Sequence, residues 1–479
     1  MSLKAQAVSG VKWSGASMGV IVTLQFVTLA ILARLLSPSD FGLMGMVMVV
    51  IGFAQAFSDM GLSNAIIYRQ DVEENHLSSF FWVNVLTGVI IFVCILLARG
   101  LVTIYFKEPS LSNYLIFAAF IFLITPVGQI FNTLLRKELK FKTLSKIEIG
   151  GMVAYSLSAI GLAMANFGVL SLIMGQLVRS LLTVCILFFV FRGKWMPRFY
   201  LNIKEIRSYF SFGAFQMGEK AVNYLRSNID YIIIGRFLGP AALGFYTLAY
   251  QLITFPMSKI NPTITRVAFP AFSKIQDDDS RMRRGYCKVI NYISMISFPM
   301  LAGMLVVAPE FIGLVYGLKW EPSVIVVQIL CLAGMFWSIG DPVGSVLLAK
   351  GRVDIGFYWN VFSMIVTTIA IIIGVNWGIV GVAGAILLLR VPFFFVVPFI
   401  LNRLIDLKFS KYIKALQLPF VCSIFMVAGI ILLKQILYNI NTLPIFITSI
   451  VGGAIIYITS YYVQDRTAFS ELRSMLKGG

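Results

Sequence analysis

Five polar or charged residues recur along one face of a segment that is otherwise apolar enough to cross a membrane. The segment runs from Arg207 to Gly239, and successive members of the set are three or four residues apart. The five residues are Gln216, Glu219, Asn223, Arg226 and Asp230. At about 100° per residue of helix, this spacing places their side chains on one narrow stripe. An ionised side chain near the bilayer centre costs about 3 kcal/mol or more, so the stripe must contact protein or water. The spacing predicts a wall of a transport pathway; the alternative is a buried ion cluster that only locks helix packing.

Cationic side chains outnumber acidic ones within the predicted membrane spans. The cations are Arg179, Lys220, Arg226, Lys259, Arg266 and Arg390. The acids are Asp59, Glu219, Asp230 and Asp341. A positive balance inside a cavity favours an anionic ligand, and the donor fork of Arg suits phosphate oxygens. We therefore predict a phosphate or pyrophosphate group as the guest. For Lys259 and Arg266 a second interpretation stays open, since Arg266 lies close enough to the cytoplasmic interface to reach it.

Composition identifies the chain as a polytopic, all-α membrane protein. Hydrophobic residues make up 59% of the 479 residues and charged residues only 13%, which leaves no room for a separate soluble domain. We expect about fourteen transmembrane helices. Their approximate bounds are 11–35, 41–67, 78–105, 111–134, 147–165, 168–191, 208–237, 241–273, 286–315, 322–348, 354–375, 378–401, 415–437 and 443–463.

The placement of Lys and Arg predicts the orientation. Most of the 39 such residues fall in loops on the side that also holds both termini, which identifies that side as cytoplasmic. The formal net charge of +18 is then a consequence of topology and of contact with anionic lipid head groups, and we expect no nucleic-acid partner.

Cysteine and histidine usage argues against metal or histidine chemistry. The five cysteines are scattered and four lie in apolar spans, so we expect neither disulfides nor a metal cluster. The single histidine, His76, lies in an acidic loop, which excludes histidine-based catalysis in the membrane. We predict no cofactor and no enzymatic activity.

An internal repeat divides the chain into two halves. Residues 34–42 match residues 236–244 at an offset of 202, and Asn166-Phe167-Gly168-Val169 matches Asn376-Trp377-Gly378-Ile379 at an offset of 210. Arg179 and Arg390 follow these second turns at nearly equal distances, about 17 Å along their helices. The first offset also pairs Ser17 with Glu219 and Thr28 with Asp230, which predicts an uncharged wet face on the first span. The predicted divisions are an N-terminal six-helix bundle (1–192), a cytoplasmic linker (193–207), a second six-helix bundle (208–403) and two additional helices with a tail (404–479), with the pathway between the bundles.

An ordered set of motifs resembles one family of transporters. The motifs are Asn228-Ile229-Asp230 with Gly235, Gly239, Gly244 and Tyr246; Ser58-Asp59-Met60-Gly61-Leu62; Phe269-Pro270-Ala271; and Tyr316-Gly317 with Lys319-Trp320. The set is similar to the Wzx-like polysaccharide flippases of the multidrug/oligosaccharidyl-lipid/polysaccharide exporter superfamily, in the branch of colanic acid and teichuronic acid exporters.

The resemblance implies a flippase of the bacterial plasma membrane. Its substrate would be an undecaprenyl-pyrophosphate-linked oligosaccharide, moved from the cytoplasmic to the outer leaflet by alternating access, with H⁺ or Na⁺ as coupling ion. The family functions beside other polysaccharide biosynthesis proteins, and we expect a monomer surrounded by membrane lipids. Two alternatives stay open: a cation-coupled multidrug antiporter of the same fold, which the positive intramembrane balance disfavours, and a membrane-embedded polysaccharide polymerase or ligase, which the short outer loops disfavour.

The resemblance also suggests roles for individual residues. Arg226, Arg179, Lys220 and Arg390 would neutralise the pyrophosphate, while Gln25, Gln216 and Asn223 would contact sugar hydroxyls. The acids Glu219, Asp230, Asp59 and Asp341 would couple transport to an ion or serve as counter-ions to the arginines.

Overall fold

The protein is a multi-pass helical membrane protein, as predicted. The computed structural model describes residues 3–58, 66, 73–202, 217–437 and 441–465, without the side chains of 3–12 and of eight residues between 255 and 267. In the described residues, twelve helical segments are long and apolar enough to cross a membrane. One of them, Val353–Ile405, contains two helices separated by a short turn, which agrees with the two spans predicted there.

The chain forms two compact units, Met1–Gly244 and Phe245–Gly479. The first contains α1 (Leu3–Leu35), α2 (Pro38–Ser58), α3 (Glu74–Phe106), α4 (Leu111–Ala119), α5 (Ile121–Lys137), α6 (Phe141–Met164), α7 (Val169–Phe191), α8 (217–227) and the start of α9 (Ile229–Lys274). The second contains the rest of α9, α10 (Asp279–Phe311), α11 (Ser323–Gly340), α12 (Val343–Ala349), α13 (Val353–Gly374), α14 (Gly378–Ile405), α15 (Phe409–Ile436) and α16 (Thr442–Gln464). The divisions predicted at 192, 207 and 403 stay predictions.

Large apolar side chains cover the outside of the helices. Leu97, Leu101 and Ile104 on α3 are more than 70% exposed, and Ile436 on α15 is 78% exposed. A soluble monomer rarely exposes contiguous apolar surface on this scale, whereas lipid-facing helices require it. The predicted cytoplasmic ends carry their own packed cores, for example Phe80, Phe131, Leu135, Leu144 and Leu187 in the first unit.

The first pair of repeated turns has the predicted equivalence. Helix α2 begins at Pro38, after Ser37, and α9 is interrupted at Gly239 (φ 81°), directly before Pro240. Proline suits the first position of a helix because no intrahelical bond is lost there. The first turn also carries a polar cap at the start of α2. The Ser37 N–H donates a hydrogen bond of 2.8 Å to Asp40 Oδ2, and the Asp40 N–H donates one of 3.2 Å to Ser37 Oγ.

The two turns also contact each other within the first unit. A Cβ atom built on Gly42 would lie 1.7 Å from the carbonyl oxygen of Pro240, and one built on Gly244 would lie 1.8 Å from that of Pro38. Because Gly42 and Gly244 are equivalent in the repeat, as are Pro38 and Pro240, the contact is reciprocal. Only glycine permits backbones to approach this closely.

The second pair of repeated turns is confirmed in the same way. Gly168 (φ 53°) precedes α7 and Gly378 (φ 69°) begins α14, so each helix follows a glycine in a positive-φ conformation. L side chains rarely adopt this conformation, which explains why the matching motif keeps glycine at this place.

The span that contains Pro126 is interrupted on the N-terminal side of the proline and not at the proline itself. Helix α5 continues through Pro126, and the interruption lies at Phe120, six residues earlier. Proline at 126 removes the donor to the carbonyl of Phe122 and clashes with it, so the distortion is displaced toward the N-terminal side. Gly88 of α3 packs against this carbonyl: a Cβ atom there would lie 2.1 Å from the Phe122 oxygen.

The last two helices pack on α10 and on each other. Met295, Cys422, Met426, Ile430, Tyr457 and Tyr461 form their shared core. At the predicted outer end, Lys434 Nζ lies 2.7 Å from Glu310 Oε2 and 2.7 Å from the carbonyl oxygen of Val306. These helices belong to the second unit through α10, in agreement with their interpretation as an addition to the repeat.

Candidate functional site

The predicted polar stripe runs from an exposed environment on α8 to a buried one at the start of α9. Glu219 and Asn223 are exposed, Arg226 is half-buried and Asp230 is only 5% exposed. The Arg226 guanidinium donates a hydrogen bond of 3.2 Å to Asn223 Oδ1, and Lys220 is exposed beside the stripe. The described part of the stripe therefore presents a cation and an amide together. Gln216, the first member of the predicted set, lies outside the described residues.

A tyrosine fixes the opposite side of α8. The hydroxyl of Tyr224 donates a hydrogen bond of 2.8 Å to the carbonyl oxygen of Met48 on α2. Gly52, one turn further along α2, provides the space: a Cβ atom there would lie 2.1 Å from the Tyr224 hydroxyl. Tyr224 lies about 160° around the helix from Arg226, so its anchoring orients the polar stripe away from α2. The sequence analysis missed Tyr224 because its neighbours Val222 and Leu225 make this face look uniformly apolar.

Removing the Tyr224 hydroxyl is expected to reduce export without preventing insertion. A typical hydrogen bond contributes about 1 kcal/mol net, and this bond fixes the orientation of α8 that we expect transport to require. Tyr224→Phe is therefore expected to lower export by roughly fivefold. Surface polysaccharide and membrane level of the variant are measured together. Val222→Ala on the same helix is the control, because Val222 is 58% exposed and anchors nothing. Wild-type export by Tyr224→Phe would contradict the anchoring role.

Arg179 of α7 is exposed although it lies deep within a predicted span. Its Cγ packs beside Gly151 of α6, where a Cβ atom would lie 3.4 Å away. Within the described ranges it forms no hydrogen bond and no salt bridge. An Arg at this depth is costly in lipid, so its guanidinium must reach a polar space or a ligand. The described contacts give no support to a self-compensated ion cluster at this position, and the role of Arg179 in substrate binding stays a prediction.

Gln176 is a further polar residue on the same side of α7. It lies one turn before Arg179, and its Nε2 is 4.0 Å from the sulfur of Met48. Met48 therefore contacts α7 through its side chain and α8 through its carbonyl. This shared contact brings the α7 face with Arg179 and the α8 anchor onto one segment of α2, which no sequence spacing indicates.

The predicted wet face of α1 is wrong at two of its positions. Ser17 and Thr28 are 4% and 3% exposed, and the Thr28 hydroxyl donates a bond of 2.7 Å to Ser156 Oγ on α6. Hydroxyls satisfy their bonds locally, so they fit a helix interface as well as a wet wall. Gln25 is exposed, about 80° around α1 from Ser17, and forms no hydrogen bond to any part of the chain that the structure describes.

In the second unit, Arg390 of α14 stacks on an aromatic residue. Its guanidinium lies 5.1 Å from the ring centroid of Trp337 on α11, within cation–π range, and the side chain is half-buried. Tyr250 of α9 contacts the same Trp337 ring at 6.1 Å between centroids. The contact places the guanidinium over the face of the indole ring, where the ring quadrupole favours a cation.

Asp341 lies one helical turn beyond Trp337, directly before Pro342, at the break between α11 and α12. It is exposed and accepts a bond of 2.6 Å from the Nδ2 atom of Asn261. Sequence analysis missed Asn261, a polar residue that is 3% exposed in an apolar helix. The side chains of Lys259 and Arg266, and the whole of Asp59, lie outside the described residues.

Each unit thus contains some of the residues that were predicted to bind substrate or a coupling ion. The first holds Arg179, Lys220, Arg226, Asn223, Gln25, Glu219 and Asp230, and the second holds Arg390 and Asp341. Guanidinium groups and amides are suited to bind phosphate oxygens and sugar hydroxyls. In the described residues no group of His, Cys, Asp and Glu has the arrangement of a metal site.

Comparison with known proteins gives consistent matches over most of the chain. The model of the family described as polysaccharide biosynthesis protein matches residues 31–325. The chain is 35% identical to the teichuronic acid biosynthesis protein TuaB of Bacillus subtilis (strain 168), over 88% of each chain. It is 34% identical to the lipopolysaccharide biosynthesis protein WzxC of Escherichia coli (strain K12), over 88% of this chain and 87% of that protein.

A solved structure shares the fold at low identity. The lipid II flippase MurJ in an inward closed conformation aligns with a TM-score of 0.76 and 15% identity, over 96% of this chain and all of that one. The likeness confirms the transporter architecture expected from the spans and the repeat. Together with the motifs described above, these matches show that the chain belongs to the polysaccharide biosynthesis family of multi-pass membrane proteins.

Proposed function

We propose that the protein is a flippase that moves an undecaprenyl-pyrophosphate-linked oligosaccharide from the cytoplasmic to the outer leaflet of a bacterial plasma membrane. It does so by alternating access, with both termini in the cytoplasm, as a monomer beside other polysaccharide biosynthesis proteins. The observation that carries the proposal is Arg179: an exposed guanidinium at membrane depth that binds no acidic side chain among the described residues.

The chemistry of the substrate fits the residues that the two units provide. Arg179, Arg226, Lys220 and Arg390 neutralise the pyrophosphate, with Lys259 and Arg266 assigned to the same role. Gln25, Gln216 and Asn223 bind sugar hydroxyls. Among the acids, Glu219, Asp230, Asp59 and Asp341 act as counter-ions or in coupling to H⁺ or Na⁺.

The relatives support this class of substrate. TuaB and WzxC are named for teichuronic acid and lipopolysaccharide biosynthesis, and MurJ for the flipping of lipid II. Family membership and the shared fold confirm the prediction of a membrane transporter of polysaccharide biosynthesis and not an enzyme.

A deletion strain of the source bacterium tests the proposal. We expect surface polysaccharide to disappear and an undecaprenyl-pyrophosphate-linked oligosaccharide to accumulate in the inner leaflet, with reversal by the intact gene. Mass spectrometry of extracted lipids, with and without enzymatic labelling from the periplasmic side, measures both quantities. A polymerase or ligase would instead leave the linked oligosaccharide in the outer leaflet, and a drug antiporter would alter drug susceptibility without changing the glycan. Either pattern would reject the proposed flippase.

A further inference from the structure

The first unit contains a small apolar cavity between α2, the junction of α4 with α5, and α7. Its volume is about 250 Å³, and it is partly open. Its apolar lining includes Met44, Met48, Ile51, Ala118, Ile121 and Ile173. Ala118 has the smallest of these side chains and lies just before the interruption at Phe120, so it leaves space that a larger residue would fill. A cavity of this lining and size is suited to a small apolar group and is too small for an undecaprenyl chain.

Gln176 provides an amide at the wall of this cavity. Among the described lining residues only Gln176 is polar, and it is half-buried. Its Nε2 lies 4.0 Å from the sulfur of Met48, which is a weak acceptor, and the side chain forms no other hydrogen bond within the described ranges. The amide therefore keeps both a donor and an acceptor for a ligand, whichever way its oxygen and nitrogen are placed.

Arg179 stands beside the cavity on the same helix. It follows Gln176 by three residues, about 4.5 Å along α7 and about 60° around it. One side of α7 thus presents an apolar cavity, an amide and a guanidinium in succession. A ligand that fits all three carries a small apolar group, an amide and a phosphate within one helical turn. An acetamido sugar that bears pyrophosphate on the neighbouring anomeric carbon has its methyl, amide and phosphate in this order.

We propose that the cavity binds the acetamido group of the sugar that carries the pyrophosphate, an inference that rests on the flippase activity proposed above. The acetyl methyl fills the cavity, the amide exchanges hydrogen bonds with Gln176, and the phosphate binds Arg179. A deoxy sugar or an isoprene unit would fill the cavity but leave the Gln176 amide unmatched. A sugar with a hydroxyl in place of the acetamido group would leave the cavity empty or place a polar group in it.

Binding is tested on the purified full-length protein in detergent with two matched probes. They are N-acetylglucosamine and glucose, each linked through pyrophosphate to a farnesyl chain, so that they differ only in the acetamido group. We expect the protein to bind the acetamido probe about tenfold more tightly, because one buried methyl and one amide hydrogen bond are added. In saturation-transfer NMR, the acetyl methyl is expected to receive the strongest signal from the protein.

Variants separate the cavity from the phosphate contact. Gln176→Leu removes the amide and Ala118→Leu fills the cavity, so each is expected to remove most of the preference by weakening the acetamido probe alone. Arg179→Ala is expected to weaken both probes alike. Ala165→Leu is the matched control, because it adds the same bulk at an exposed position at the end of α6. The Tm of each variant is measured, and Gln176→Leu, which changes a half-buried residue at similar volume, decides the question where Ala118→Leu unfolds the protein.

Four outcomes would overturn the inference. They are the absence of binding of either probe, equal affinity of the intact protein for both, a preference that persists in Gln176→Leu and Ala118→Leu, and saturation transfer to the prenyl methyls that Ala118→Leu removes, which would assign the cavity to an isoprene unit. Translocation of the corresponding undecaprenyl-linked substrates in proteoliposomes is measured separately. Equal binding with translocation of both substrates rejects this inference alone, whereas preferred binding of the acetamido probe without translocation of either substrate rejects the proposed function alone.

Discussion

Arg179→Ala is expected to abolish polysaccharide export while the protein inserts at its normal level. The guanidinium forms no bond within the described structure, so its removal leaves no partner unsatisfied and costs little stability. A charge-assisted hydrogen bond to phosphate contributes about 1.5–3 kcal/mol, and a bidentate Arg loses two of them. We therefore expect more than a hundredfold loss of translocation, which proteoliposomes with an undecaprenyl-pyrophosphate-linked substrate would measure directly.

Two further variants distinguish a substrate contact from a loss of charge in general. Arg179→Lys keeps the charge and loses the donor fork, so it is expected to retain partial activity. Arg198→Ala removes an exposed arginine of the predicted cytoplasmic linker, 3.5 Å from Glu74, and is expected to export normally. Full activity of Arg179→Ala would refute a cationic guest site in the first unit.

Arg226 requires a separate comparison because Asp230 follows it four residues later, at the start of α9. Arg226→Ala is expected to abolish export if the guanidinium binds substrate. If Arg226 instead only balances the buried Asp230, the double variant Arg226→Ala with Asp230→Asn would recover export. We expect no recovery, and full rescue measured at equal protein level would favour the ion cluster that only locks the helices.

Gly244→Ala is expected to destabilise the protein although alanine is the better helix former. Intrinsic propensity favours alanine by about 1 kcal/mol, but the added methyl would meet the Pro38 carbonyl oxygen at 1.8 Å. Overpacking of this kind typically costs 1–3 kcal/mol, and here backbone must move, so we expect the upper end of that range. The expected result is a lower Tm in detergent and loss of export, and the equivalent Gly42→Ala is expected to behave alike.

Matched controls for this prediction are available in the same fold. Gly100 and Gly161 are helical, and a Cβ atom on either would meet nothing within 4 Å. Gly100→Ala and Gly161→Ala are therefore expected to leave Tm unchanged or raise it slightly. Equal Tm values for Gly244→Ala and these controls would show that the two turns do not depend on their close contact.

Sequence patterns predicted those features of the fold that depend on residues close together in the chain. The span pattern follows from hydropathy, and the turns at Gly239 and Gly378 follow from residues that permit only certain backbone angles. The break at Asp341-Pro342 also has a local cause. Periodicity, however, does not say what a polar face contacts: Ser17 and Thr28 have the spacing of a wet wall, yet both are buried, and Thr28 bonds to α6.

The missed residues have distant partners. Tyr224 is separated from Met48 by 176 positions, and Asn261 from Asp341 by 80. Neither pair shows a motif or a fixed spacing, because their meeting depends on how whole helices pack. For the same reason Arg179 was predicted from its depth and its repeat partner, while its neighbour Gly151 was not.

The reciprocal contact of Pro38 with Gly244 and of Pro240 with Gly42 has the form of an isologous interface, in which one patch meets a second copy of itself. Such contacts normally join two identical chains across a twofold axis. Here both copies belong to a single polypeptide, so the repeat relates two turns of one chain through a reciprocal contact. The copies differ in charge, because Glu219 and Asp230 stand at the positions that correspond to Ser17 and Thr28 at the same offset.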